Sequence, residues 1–164
     1  MLMQRLFPNA KEITESFAAY SAVRDYLGKS LGNYDICLYA IGDGHTPRTA
    51  ATFAYRSAWT CYSIDPLLRW RNYNIRRLHL EHKKVEDCEP RLGHADISVI
   101  VAVHSHAPLQ VAYDYFKGSQ ATLVVAIPYC VPQELSGIPL VKSYEDKNIA
   151  SPKNLVKVWE EGLI

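Results

Sequence analysis

Apolar and polar residues fall along the chain in blocks short enough to be single elements. Over 11–28, Ile13, Phe17, Tyr20 and Val23 recur at three- and four-residue steps, the period of one helical face, and Gly28 supplies a stop. YDICLYAI (34–41) is apolar nearly throughout, as a strand covered on both faces must be. The stretch 47–59 predicts a second helix, with Ala50, Phe53, Ala54 and Ser57 on one compact face. TCYSID (60–65) reads as the next strand, PLLRWRNYN as a short helical turn, and RRLHLEHKKV, which alternates, as a strand on the sheet's edge side. DISVIVAVH (96–104) and ATLVVAIP (121–128) are the most apolar runs and predict central strands. Between them, APLQVAYDYF (107–116) is a helix with proline in its first turn. PLVKSYE (139–145) and NLVKVWE (154–160) close the series as strands separated by a polar loop.

Strands alternating with helices at the front predict a parallel α/β sheet. No helix separates the last two strands, and a hairpin joins only antiparallel neighbours. The expected sheet is therefore mixed and seven-stranded, with five parallel strands and an antiparallel pair at the end. No repeat or long linker interrupts the 164 residues, a length suited to one domain, with the helical segment 1–30 packed on it.

Composition narrows the classes. At 48% hydrophobic and 21% charged, the chain is ordinary for a globular protein, and a net charge of +1 offers no whole-molecule field for nucleic acid. The opening MLMQRLFPNAKEITESF turns polar too early for an export signal, and no apolar run is long enough to span a bilayer, so a membrane-free, cytoplasmic protein is expected. Cys37, Cys61, Cys88 and Cys130 form no CxxC pair, which argues against a disulfide framework and against a structural metal site. Cys37 and Cys61 lie in strand-like runs, where a thiol serves as a small core residue.

The first predicted strand runs into Gly42-Asp43-Gly44-His45 and then a helix. Ligands of such sheets sit beyond the carboxyl ends of the strands, glycine allows a sharp turn and close backbone approach, and the N–H groups opening the helix can face an anion. Asp65 ends the second strand, 21 residues after Gly44, where an acid can accept hydrogen bonds from a ribose diol. Pro47 stands where a dinucleotide fingerprint needs its third glycine, and no Gly-Lys-Ser/Thr follows to make a phosphate loop. The same residues also suit a plain turn, with Asp43 capping the helix and Asp65 capping the turn at Pro66. Arg48, in the first helical turn, reads either as a surface arginine or as the partner of a carboxylate or phosphate at the loop.

IGDG followed by a helix and YSIDP resembles the Rossmann-like class I S-adenosylmethionine-dependent methyltransferases, at the level of motif over 40–46 and 61–66 and of architecture over about 34–160. The resemblance implies a Rossmann-like three-layer sandwich, an α/β fold whose seven-stranded mixed sheet ends in a C-terminal antiparallel pair. It also implies that S-adenosylmethionine binds along Ile41, Gly42, Asp43, Gly44, His45 and Arg48, with Asp65 on the ribose hydroxyls. Ala40 stands where that family often has an acid, and Thr46 where it often has a third glycine, so Asp43 is the candidate for the displaced carboxylate.

In the same pattern the loop after strand four, carrying His104, Ser105 and His106, borders the methyl-acceptor site, and the loop after strand five carries Tyr129. His104, His106 and Tyr129 are accordingly the candidate catalytic residues, histidine being a base near neutral pH. Continued strand geometry would send the two histidines to opposite faces, so they are not expected to share a metal. Plain alternatives are Ser105 capping the next helix, the histidines satisfying backbone groups, and Tyr129 as a rim aromatic. Arg69, Arg71, Arg76, Arg77, Lys83 and Lys84, interleaved with Trp70 and Tyr73, open the possibility of RNA binding through 69–84, although charge protecting an exposed edge is the preferred reading. Lys147, Lys153 and Asn154 of the last loop either border a cleft or only set the bend. Two functions follow: a methyltransferase acting on a small molecule or RNA, or a non-catalytic Rossmann-like module for a nucleotide or a protein partner. The latter suits a chain with little room for a recognition insertion, working as a homo-oligomer or within a larger complex.

Overall fold

The computed structural model describes residues 6–28, 33–69 and 71–163. Its elements in chain order are α1 (Ala10–Leu27), β1 (Ile36–Ile41), α2 (Arg48–Arg56), β2 (Thr60–Ile64), β3 (Leu78–Glu81), β4 (Ile97–Val103), α3 (Leu109–Phe116), β5 (Ala121–Ile127), β6 (Leu140–Glu145) and β7 (Leu155–Glu161). Asn9 opens α1 by accepting the Glu12 N–H at 3.0 Å, and Gly28 closes it with its own N–H on the Arg24 carbonyl. Of the segment 1–30, residues 1–5 and 29–30 lie outside the described residues, as does Trp70.

The seven strands form one sheet in the order β3-β2-β1-β4-β5-β7-β6, an α/β arrangement of Rossmann-like type. The β1–β2, β1–β4, β2–β3 and β4–β5 pairs are parallel, whereas β7 runs antiparallel to both β5 and β6. The five parallel strands and the terminal antiparallel pair are those expected, and the structure adds the order of that pair. The returning strand does not extend the sheet outward; β7 inserts between β5 and β6, and only β7 points backwards. Its burial explains the insertion: Val156, Val158 and Trp159 are at most 1% exposed, while β6, on the edge, is largely exposed. The more apolar strand takes the inner place.

β1, β4 and β5 are buried at every position, as their apolar runs predict. Alternate residues feed two cores. Leu38, Ala40, Val99, Val101, Leu123 and Val125 meet α1 and α2 on one face. Tyr39, Ile100, Ala102, Val124 and Ala126 meet α3 on the other, where Tyr39 stacks between Tyr62 and Phe116. Helices on both faces make three layers. The helix expected over 47–59 is shorter at its end, because Ser57 folds its hydroxyl back onto the Phe53 carbonyl and accepts the Trp59 N–H. The helical turn expected in PLLRWRNYN is confined to a tight turn at Pro66 and Leu67, and 71–75 carries no helix. Between β3 and β4 the chain forms a 3₁₀ turn, Val85–Asp87, and no α-helix. No helix among the described residues is long and apolar enough to cross a membrane.

Candidate functional site

Strand order makes a crevice. The chain leaves β1 toward β2 on one side and returns as β4 on the other, so the loops after β1 and β4 diverge at a topological switch point. There a cleft of about 510 Å³ opens, lined by Gly42, Gly44 and Arg48 after β1, by Ile64, Asp65, Pro66 and Leu67 after β2, by Lys84, Val85 and Glu86 after β3, and by His104, His106, Ala107 and Pro108 after β4.

Both glycines have positive φ, +65° at Gly42 and +88° at Gly44. A Cβ on Gly42 would lie 2.1 Å from Ser105 Oγ, so this glycine is what lets the β4 loop close against the β1 loop. A Cβ on Gly44 would meet the Arg48 guanidinium at 3.1 Å; the cation therefore lies directly over the glycine loop, on the cleft wall.

The two carboxylates do different work. Asp43 is 4% exposed and turns beneath α2, away from the cleft. Its oxygens accept the N–H groups of Thr49 (3.0 Å) and Ala50 (3.1 Å) and the Ser63 hydroxyl (3.0 Å). Burial pushes its pKa up, against the pull of the Arg48 charge and these N–H donors. The chain's own carboxylate thus occupies the helix N–H groups that were expected to face a ligand. Asp43 is a helix cap reached from outside the helix, and it does not supply the carboxylate absent at Ala40. Asp65 stays at the cleft. Oδ2 accepts the Gly44 N–H at 2.9 Å and Oδ1 the Leu67 N–H at 2.7 Å, so it caps its own turn and braces the glycine loop. Each oxygen keeps a second lone pair for a ligand hydroxyl.

His104 has φ +49°, which ends strand geometry at that residue and removes the alternation expected to separate it from His106. Its Nε2 lies 3.2 Å from the Lys153 carbonyl and its Nδ1 3.3 Å from Glu15 Oε1, so both ring nitrogens face groups of the protein. Burial lowers the His104 pKa, helped by the Lys11 and Arg48 charges and opposed by the Lys153 carbonyl. The ring of Tyr129 tilts against His104 at 4.8 Å, and Tyr129 does not line the cleft. His106 is exposed on the cleft wall. Ser105 accepts the Ala107 N–H at 3.0 Å, one turn ahead of α3. Ile41 is buried in the core, and His45 is exposed with its carbonyl on the Arg69 N–H at 2.9 Å; neither lines the cleft.

Sequence reasoning predicted the helix α1 and missed the acidic side chains that it brings to the site. This helix brings Glu15, 2% exposed, to His104 and Lys11, and sets Glu12 Oε2 3.6 Å from Arg48. Glu12 Oε2 and Glu15 Oε1 are buried and have no hydrogen-bond partner among the described residues. Burial raises the Glu15 pKa against the Lys11 and Arg48 charges. The available signal was a carboxylate in the helix's inward stripe, where Glu15 precedes Ala19 and Ala22 at helical spacing. Leu67 and Val85 were legible only once β2 and β3 were known to end at the same crevice.

No family model matches the chain, and no curated protein is significantly similar to it.

Proposed function

We propose that the cleft binds S-adenosylmethionine and that the protein is a methyltransferase. The observation that carries this reading is the juxtaposition, at the β1/β4 switch point, of a glycine loop with the Asp65 carboxylate. The fit is chemical as well as topological. The volume falls within the roughly 300–1,000 Å³ of small-molecule sites. Asp65 has lone pairs for ribose hydroxyls, Ile64, Leu67 and Val85 offer apolar surface to a flat base, and Arg48, paired with Glu12 at 3.6 Å, can meet a carboxylate. When bound, S-adenosylmethionine supplies an electrophilic methyl group on a sulfonium. The chain's part is to hold and orient, with in-line approach as the main requirement. His106 is the histidine open to an acceptor's proton, because both nitrogens of His104 face groups of the protein.

The second reading, a module that binds a nucleoside ligand without catalysis, is favoured by one observation: Asp43 and His104, two of the polar candidates, are spent on internal contacts. Calorimetry with S-adenosylmethionine and S-adenosylhomocysteine separates the readings. Micromolar binding is expected, weakened about tenfold or more in Asp65→Ala through loss of hydrogen bonds to a charged acceptor. Failure of both ligands to bind removes the transferase reading. Binding without transfer to any acceptor favours the module.

A further inference from the structure

The segment 69–84 holds six of the chain's 18 lysines and arginines: Arg69, Arg71, Arg76, Arg77, Lys83 and Lys84. All six are exposed, and among the described residues none forms an ion pair. The one carboxylate in the segment, Glu81, is engaged by Arg91. Charge that protects a sheet edge belongs on the edge strand. Here β3, Leu78-His79-Leu80-Glu81, carries neither lysine nor arginine, and the cations flank it on both sides. One end of the segment is tied to the glycine loop and the other reaches the cleft. The Arg69 N–H is bonded to the His45 carbonyl of the glycine loop, and Lys84 lines the cleft wall. Beside β3 the segment forms a second cleft of about 490 Å³, where Ile75, Leu78 and Leu80 supply apolar surface and Asn72, Asn74 and His79 supply polar edges.

We infer that 69–84 is a binding track for single-stranded nucleic acid leading into the main cleft, with the second cleft receiving a base beside the one that enters. Unpaired cations match a phosphate backbone, and an open recess that sets aliphatic side chains beside amide, imidazole and Arg71 guanidinium groups has room for an unstacked base, which a duplex does not present. That the strand is also the methyl acceptor rests on the transferase reading; binding itself does not.

The test is fluorescence anisotropy, without cofactor, on labelled RNA and DNA strands of about 20 nucleotides and on the corresponding duplex, across a salt series. The full chain is compared with the triple variant Arg71→Gln, Arg76→Gln, Lys83→Gln, none of which lines the main cleft, and with Lys142→Gln, Lys147→Gln on the opposite side of the sheet. The triple variant is expected to bind about tenfold more weakly at moderate salt, with the slope of log affinity against log salt reduced by about 2. The opposite-side variant should match the parent. A preference for RNA or for DNA identifies the strand type. No binding of either strand at low salt, equal loss in both variants, or tighter binding of duplex overturns the inference. Calorimetry with S-adenosylmethionine on the triple variant keeps the two proposals apart, since cofactor binding should be unchanged there. Strand binding with no cofactor binding by the parent would leave the track standing and remove the transferase reading.

Discussion

The β1–β2 corner and the β4–β5 corner of the cleft are built in opposite ways. Around the glycine loop the two carboxylates find their partners close by in the chain. Asp43 caps N–H groups six and seven residues away, and Asp65 braces Gly44 across one helix and one strand. Around His104 the partners are Glu15, from a helix near the start of the chain, and Lys153, from the loop between the last two strands. The first corner is a closed local circuit of carboxylate and backbone. The second is a junction of three distant segments, with buried charge that no backbone donor satisfies. A local circuit gives rigidity and a defined loop, whereas a junction makes the site depend on how α1 and the terminal loop are docked.

The sharpest way to break the local corner is Gly42→Ala. Positive φ and a Cβ 2.1 Å from Ser105 Oγ add backbone strain to overpacking, and a loss of about 4 kcal/mol in urea unfolding is expected. Combining it with Ser105→Gly should recover the overpacking part and leave the strain; no recovery would mean that the loops do not meet there.

Asp43→Ala should cost about 3 kcal/mol, near 1 for each of the three buried donors it orphans. A cost no larger than that of an exposed cap, about 1 kcal/mol, would show that water replaces the carboxylate.

The junction is tested by pH. Burial lowers the His104 pKa from 6.5, so its contribution is present above the unfolded value and is lost as pH falls below it toward the lower folded value. Burial raises the Glu15 pKa from 4.5, so its contribution is present below that value and is lost as pH rises through the higher folded value. The two offset one another in the parent chain. Glu15→Gln should leave stability that falls with decreasing pH below 6.5, and His104→Asn, which tolerates the positive φ, stability that falls with increasing pH above 4.5. Each slope is bounded by about 1.4 kcal/mol per pH unit. Urea midpoints across that range check the signs, and slopes of the same sign in both variants would mean that the side chains are not buried together.

The smallest effect is expected where the two corners touch. Glu12 and Arg48 stand 3.6 Å apart without a hydrogen bond to Glu12 Oε2, and Glu12→Gln should shift stability by less than about 1 kcal/mol. A larger loss in the same urea assay would make α1 a clamp on the glycine loop and unite the corners.

What could be read from residues alone follows the same division. The buried runs of β1, β4 and β5, the α1 stripe with its Gly28 stop, the glycine turn and the acid after β2 are periodic or local features, and hydrophobic period and turn chemistry report such features directly. The two roles of Asp43, ligand carboxylate or helix cap, were both legible; choosing between them required the side chain's direction. Three things belong to tertiary structure alone: the insertion of β7 between β5 and β6, the docking of Glu15 on His104, and the placement of 69–84 between the glycine loop and the cleft wall. Each joins residues far apart in the chain, and their contacts leave no periodic trace, because the free energy that selects them is gained only when the whole sheet closes. By itself the sequence determined the layers and the crevice's floor; the packing of the complete sheet decided which polar groups face the crevice and which are consumed in building it.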